Sequence, residues 1–161
     1  MAGDRQDAPE QDAPAPDPES EIAAHPIVLY DGVCGLCNRL VQFLLRRDPS
    51  GILRFAALQS PLAASILARH GQHPQEPDTV YAVVNCDAPG EALLARSDAV
   101  LFILRQLGGI WRAWARVFQL LPRSLRDFGY NFVAQRRYRI FGRSETCILP
   151  APENRHRFLD L

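Results

Sequence analysis

Two cysteines stand three residues apart in Cys34-Gly35-Leu36-Cys37, directly after an apolar run from Ile27 to Tyr30 that is closed by Asp31-Gly32. The run reads as a buried strand ending in a turn, and the spacing of apolar residues after Cys37 reads as a helix. The pair is therefore expected at a strand-to-helix junction. Thiol-disulfide exchange needs a thiolate, and the unpaired N–H groups and dipole of a helix N-terminus stabilise that anion. Cys34 is the candidate nucleophile. Cys37, one turn further into the same helix, is placed to attack a mixed disulfide and is the candidate resolving thiol.

Other readings of the pair use the same residues. A CxxC is half of a zinc site, and Cys86, Cys147 and the His70-x-x-His73 pair could supply the other half. There is no second CxxC, however, and the gap from Cys37 to His70 is longer than common finger spacing. Covalent haem attachment needs histidine after the second cysteine, where Asn38 stands. Asp31 is either a proton acceptor for one thiol, the resolving one in particular, or a turn-forming aspartate beside Gly32. A carboxylate very close to Cys34 would oppose its ionisation. Cys86, at a strand end, and Cys147, in a terminal loop, read as structural or incidental thiols. The redox reading calls for no cofactor and no metal. All 18 basic residues are arginine, which excludes Schiff-base chemistry, a P-loop lysine and pyridoxal phosphate attachment.

The elements that must position the pair follow from periodicity. Leu40, Val41, Leu44 and Leu45 recur at helical spacing until Asp48-Pro49-Ser50-Gly51 breaks the pattern. A second strand is expected over Ile52 to Ala56, then a helix opened by Ser60-Pro61, proline being suited to a first helical position. Thr79 to Val84 is the strongest strand signal, and Asp87-Ala88-Pro89-Gly90 turns it into an antiparallel partner, Glu91 to Arg96. Ser97 then caps a helix from Asp98 to Leu107, ended by Gly108-Gly109. The order is strand, helix, strand, helix, strand, strand, helix. Pro122 separates two further helices, and Pro150-Ala151-Pro152 precedes a short terminal one.

A zero net charge conceals a division. Seven acids and Arg5 precede Ile22, whereas the remainder carries 17 arginines against 11 acids, a net of +6. Residues 1–20 have four prolines, no aromatic and no branched aliphatic, so they cannot bury enough apolar surface to offset the entropy of ordering. We therefore expect a disordered acidic Pro/Ala-rich tail over 1–25, a CxxC-bearing core over 26–109, and a basic aromatic helical extension over 110–161 packed on that core. The tail lacks the basic and apolar regions of a signal peptide, and no apolar run approaches the ~20 residues that span a bilayer. A cytoplasmic protein is the expectation.

At these residues the chain resembles the DCC family of predicted thiol-disulfide oxidoreductases. The blocks that carry the resemblance are Asp31-Gly32-Val33-Cys34-Gly35-Leu36-Cys37-Asn38, Arg47-Asp48-Pro49 and Phe55-Ala56-Ala57-Leu58-Gln59-Ser60. Ser97-Asp98-Ala99, Leu107-Gly108-Gly109 and Arg137-Tyr138-Arg139-Ile140-Phe141-Gly142 continue the series, with Cys147 beyond. The resemblance implies a thioredoxin-like α/β fold, protein-disulfide reductase chemistry, and the nucleophile and resolving roles for Cys34 and Cys37. The implied partners are a protein or small-molecule disulfide substrate and an electron donor. Thioredoxins place a cis-proline immediately before the strand that faces the CxxC. Pro77 is the candidate here, although Asp78 and Thr79 separate it from Val80. Ser97 and Asp98 either line the same substrate groove or form an ordinary N-cap.

Between Ile110 and Arg143 eight arginines and one acid, Asp127, are interleaved with eight aromatics. Such a stretch could serve nucleic acid, a membrane surface or an acidic partner. Trp111, Trp114, Phe118 and Leu121 share one helical face, so the favoured expectation is that the aromatics cover the sheet and the arginines face water, with no nucleic acid partner.

Overall fold

The structure, a computed structural model, describes residues 25–72, 79–142 and 150–160. The expected tail apart from His25, together with His73, Pro77 and Cys147, lies outside these residues. In chain order the elements are β1 (Ile27–Tyr30), α1 (Gly35–Arg47), β2 (Arg54–Ala57), α2 (Pro61–Arg69), β3 (Tyr81–Val84) and β4 (Ala92–Ala95). They continue with α3 (Arg96–Gln106), α4 (Gly109–Gln119), α5 (Arg123–Phe141) and a terminal 3-10 helix (Pro152–Arg157). The strands form one mixed sheet in the order β2-β1-β3-β4, with β1 parallel to β2 and antiparallel to β3, and β3 antiparallel to β4. The βαβαββα order and this arrangement make the core thioredoxin-like, as the sequence led us to expect.

The unbroken apolar run of β1 is explained by its place in the sheet. Successive side chains point to opposite faces, and both faces are covered. Ile27 and Leu29 pack with Ala56, Ala63, Ile66 and Leu67, which puts α2 on one side. Val28 and Tyr30 pack with Phe55, Val41, Leu44, Ala99 and Ile103, which puts α1 and α3 on the other. A strand with a single covered face would alternate instead.

Local signals fix the helix ends. Ser60 accepts from the Ala63 N–H at 3.1 Å and Pro61 takes the first helical position of α2, as expected. The start of α3 differs from the expectation. The helix begins at Arg96 directly after β4, without a side-chain cap, and the Ser97 hydroxyl donates to Asp127 of α5. Asp98 likewise reaches α5, pairing with Arg123 and Arg126 at 3.0 Å each. Both residues tie α3 to α5, a long-range role that helical periodicity does not reveal.

The C-terminal segment returns to the far edge of the sheet. Leu159 N–H donates to the Phe55 carbonyl at 3.0 Å, and the Phe158 ring lies 5.3 Å from that of Phe55. Arg157 forms a buried ion pair with Asp48, whose carboxylate also accepts the N–H groups of Ile52 and Leu53. The aspartate that stops α1 thereby anchors residues more than a hundred positions away.

The basic extension departs from its expected packing. Trp111 does meet the core, edge-on to Phe43 of α1 at 5.0 Å, and Ala115 is buried. Trp114, Phe118, Phe128 and Phe132, by contrast, are about half exposed or more. The aromatics cover the core only in part, with Trp111 and Tyr138 packed against it.

Candidate active site

Cys34 is the N-cap of α1, with the extended backbone that position requires, and its sulfur accepts from the Cys37 N–H at 3.4 Å. Cysteine takes here the role usually played by serine or aspartate, so the sulfur occupies the place where a helix favours negative charge. The Cys34 thiol is lowered to about 6. The largest cause is the hydrogen bond from the Cys37 side chain, followed by the Cys37 N–H, the Arg137 charge and the Leu36 N–H, against the opposing effect of burial. Cys37 is pushed the other way, because its proton is held by Cys34, burial disfavours its anion and the Cys34 charge repels it. Both residues are free thiols.

A buried charge network lies beneath the pair. Arg137, 2% exposed, extends from α5 with Nη1 3.5 Å from the Cys37 sulfur and Nη2 3.2 Å from Asp31 Oδ2. Asp31 has no exposed surface and accepts four donors. Val33 N–H at 3.1 Å and Gln59 Nε2 at 2.9 Å reach Oδ1, while Arg137 and the Tyr138 hydroxyl reach Oδ2. The turn is held as well, by Asn38 Nδ2 on the Gly32 carbonyl at 3.3 Å and by Gly32 N–H on Gln59 Oε1 at 3.2 Å. An isolated buried carboxylate or guanidinium would be costly, and each here compensates the other.

The end of α5 closes over the start of α1. Gly35 N–H donates to the Gly142 carbonyl at 3.4 Å, and a Cβ on Gly35 would run into the Phe141 carbonyl. Glycine between the cysteines is thus required by close approach of two backbones. Beside Cys37 opens an apolar groove of about 380 Å³, walled by Leu36, Leu40, Val80, Val133 and Arg137 among others. The Tyr130 hydroxyl accepts the Val80 N–H at its margin. Ser97 lies in a neighbouring cavity of about 370 Å³ that shares Val100, Gly129 and Tyr130 with the groove. Asp98 is engaged by its arginines.

Of the expected residues, the structure brings together Cys34, Cys37 and Asp31. Arg137, Tyr138, Gln59 and Asn38 join them without having been singled out, although all four stand in the blocks that carried the resemblance. Helical spacing offers one signal: Tyr130, Ala134, Arg137, Tyr138 and Phe141 share a face of α5.

Of the other ligands of the zinc reading, the two among the described residues, His70 and Cys86, have their partners away from the pair. His70 Nε2 is 2.8 Å from Glu91. Among the described residues the one group of three close ligand-type side chains is Cys86, Asp87 and Glu91, and Arg69 forms ion pairs with both of its acids. Cys86 itself is buried and its thiol pushed up to about 12, mainly by burial and then by Asp87 and Glu91, which makes it a poor nucleophile.

Comparison with known proteins bears on the same residues. A family model described as DCC1-like thiol-disulfide oxidoreductase matches residues 28–143, from β1 through the CxxC to just past α5. The uncharacterised protein YuxK of Bacillus subtilis (strain 168) is 36% identical over 140 residues, covering 87% of this chain and 98% of its own. The chloroplastic DCC family protein At1g52590 of Arabidopsis thaliana is 39% identical over 124 residues, covering 77% of this chain and 69% of its own. No solved structure gives a significant match. The matched span takes in both cysteines and the buried arginine beside Cys37, and with relatives at these identities the chain belongs to the DCC1-like thiol-disulfide oxidoreductase family.

Proposed function

We propose that the protein is a disulfide reductase working by dithiol-disulfide exchange at Cys34 and Cys37. The observation that carries this reading is the Cys34 sulfur at the N-cap of α1, held by the Cys37 N–H and lowered to about 6. Such a thiol is ionised at neutral pH yet keeps much of its nucleophilicity, since the best attacking thiol has a pKa near the ambient pH. Cys34 thiolate attacks one sulfur of a substrate disulfide, forming a mixed disulfide and expelling the first substrate thiolate. Cys37 then attacks the Cys34 sulfur, its proton passing to the departing second thiolate. Two electrons have moved to the substrate, and an external thiol donor restores the pair.

Arg137 is assigned the second half of the cycle. Once Cys34 is tied in the mixed disulfide, negative charge must develop on Cys37, and the guanidinium 3.5 Å away stabilises it. Asp31 holds that guanidinium in place. Its carboxylate, occupied by four donors, acts as an anchor rather than as a base. Cys34 has no exposed surface, so attack also requires a local opening at the contact between Gly35 and the Phe141-Gly142 end of α5.

The test uses trapping. Cys37→Ser should accumulate a mixed disulfide between Cys34 and a disulfide-bearing protein substrate such as insulin, and Cys34→Ser should accumulate none. Equal trapping by both variants, or by neither, would remove the assignment.

A further inference from the structure

Helices α4 and α5 each carry an apolar outer face flanked by arginines, and we infer that these faces dock the protein on the surface of an anionic phospholipid bilayer. The faces follow from helix geometry. At about 100° per residue, buried Ala115 defines the inner side of α4, and Val117 lies about 200° around from it. Ile110 and Leu120 share that outward side and are 67% and 85% exposed. In α5 the inner side is marked by Ala134 and Arg137, and the opposite side presents Leu125, Phe128 and Phe132, Phe128 being 70% exposed. Leu125 also lines the cavity that holds Ser97, whereas Ile110, Leu120 and Phe128 are among the most exposed apolar side chains, as suits insertion among lipid headgroups.

Charge selects the occupant. Arg112, Arg116, Arg136 and Arg139 are exposed, and no acidic side chain among the described residues pairs with them. Arg105, Arg112 and Arg116 line a polar pocket of about 410 Å³ with Gln106 and Gln119, with room for a phosphate group. The acidic N-terminal segment matches the charge but has no aromatic or branched aliphatic residue before Ile22 with which to cover the apolar faces. A second copy matches the apolar faces but would bring arginine against arginine. A surface both apolar and anionic satisfies each half. No helix among the described residues is long and apolar enough to cross a membrane, so the two helices would lie in the interface.

The inference is independent of the dithiol reading, and Cys34→Ser should behave as wild type in its test. The full chain is sedimented with vesicles of phosphatidylcholine alone and of phosphatidylcholine mixed with phosphatidylserine. Binding should be about tenfold or more tighter to the anionic vesicles and fall steeply with added salt. Leu120→Ser with Phe128→Ser, both at exposed positions, should weaken it about tenfold, as should Arg112→Gln with Arg116→Gln. Absence of binding to anionic vesicles would overturn the proposal, as would equal binding to both lipids. A concentration-dependent dimer dissolved by Phe128→Ser, without vesicle binding, would overturn it in favour of a protein interface.

Discussion

Cys34 and Cys37 are chemically identical side chains whose surroundings drive their protonation in opposite directions. One hydrogen bond shared between them lowers the first thiol and raises the second, and Arg137 favours the anion of each. The rate of Cys34 alkylation should therefore rise with pH around a midpoint near 6 and then level, as mass-spectrometric rates with iodoacetamide would show. A midpoint near the ordinary value of 9.0 would contradict the N-cap account. Ionisation also links to stability. A thiol depressed on folding stabilises the reduced protein fully above its unfolded pKa, and that contribution is lost as pH falls from about 9 towards 6. The raised Cys37 thiol acts with the opposite sign at alkaline pH. Arg137→Gln should slow release of a Cys34 mixed disulfide about tenfold at neutral pH, corresponding to about 1.4 kcal/mol of lost thiolate stabilisation. Arg137→Lys should recover part of that rate. Because the change also leaves Asp31 without its buried charge partner, a stability loss of roughly 3–5 kcal/mol is expected from thermal unfolding. If release of the thionitrobenzoate adduct were unchanged in a folded Arg137→Gln protein, the arginine would have no part in resolution.

At the scale of elements, the site depends on two helices meeting end to end, the start of α1 under the end of α5. Gly35→Ala tests this directly. Its Cβ would meet the Phe141 carbonyl, so about 1–3 kcal/mol of stability should be lost in denaturant unfolding. Cys34 alkylation at a fixed pH should become faster as the contact loosens, and a slower rate would contradict the opening step. The strands, the order of elements and the position of the CxxC were legible because each is written in local periodicity and turn residues. The start of α3 was misread because Ser97 has the chemistry of a cap and spends it on Asp127, thirty residues away. Arg137 was unassigned for a similar reason. Arg136, Arg137 and Arg139 look alike in sequence, and only the packing of α5 buries the middle one.

For the whole molecule, the neutral sum of charges misleads. The acidic N-terminal segment lies outside the matched family span, whereas the basic remainder carries the dithiol and the arginine-rich helices α4 and α5. Removal of residues 1–21 should leave the redox behaviour of the pair unchanged in thiol trapping, while the net charge moves from zero to about +6. A changed potential would mean that the segment reaches the site. The same view explains the expectation about the aromatics that failed. Helical spacing placed Trp114 and Phe118 on one face correctly, but which way that face turns is set by where α4 meets α3, and this is a property of the assembled fold. The central claim is that Cys34 and Cys37 interconvert between dithiol and disulfide. Thiol trapping across a glutathione redox series, on wild type, Cys34→Ser and Cys37→Ser, tests it most directly. The account predicts two alkylatable thiols at reducing potentials and an intramolecular disulfide at oxidising ones, lost in both variants. No disulfide at any potential, or protection of both thiols by stoichiometric zinc, would contradict it.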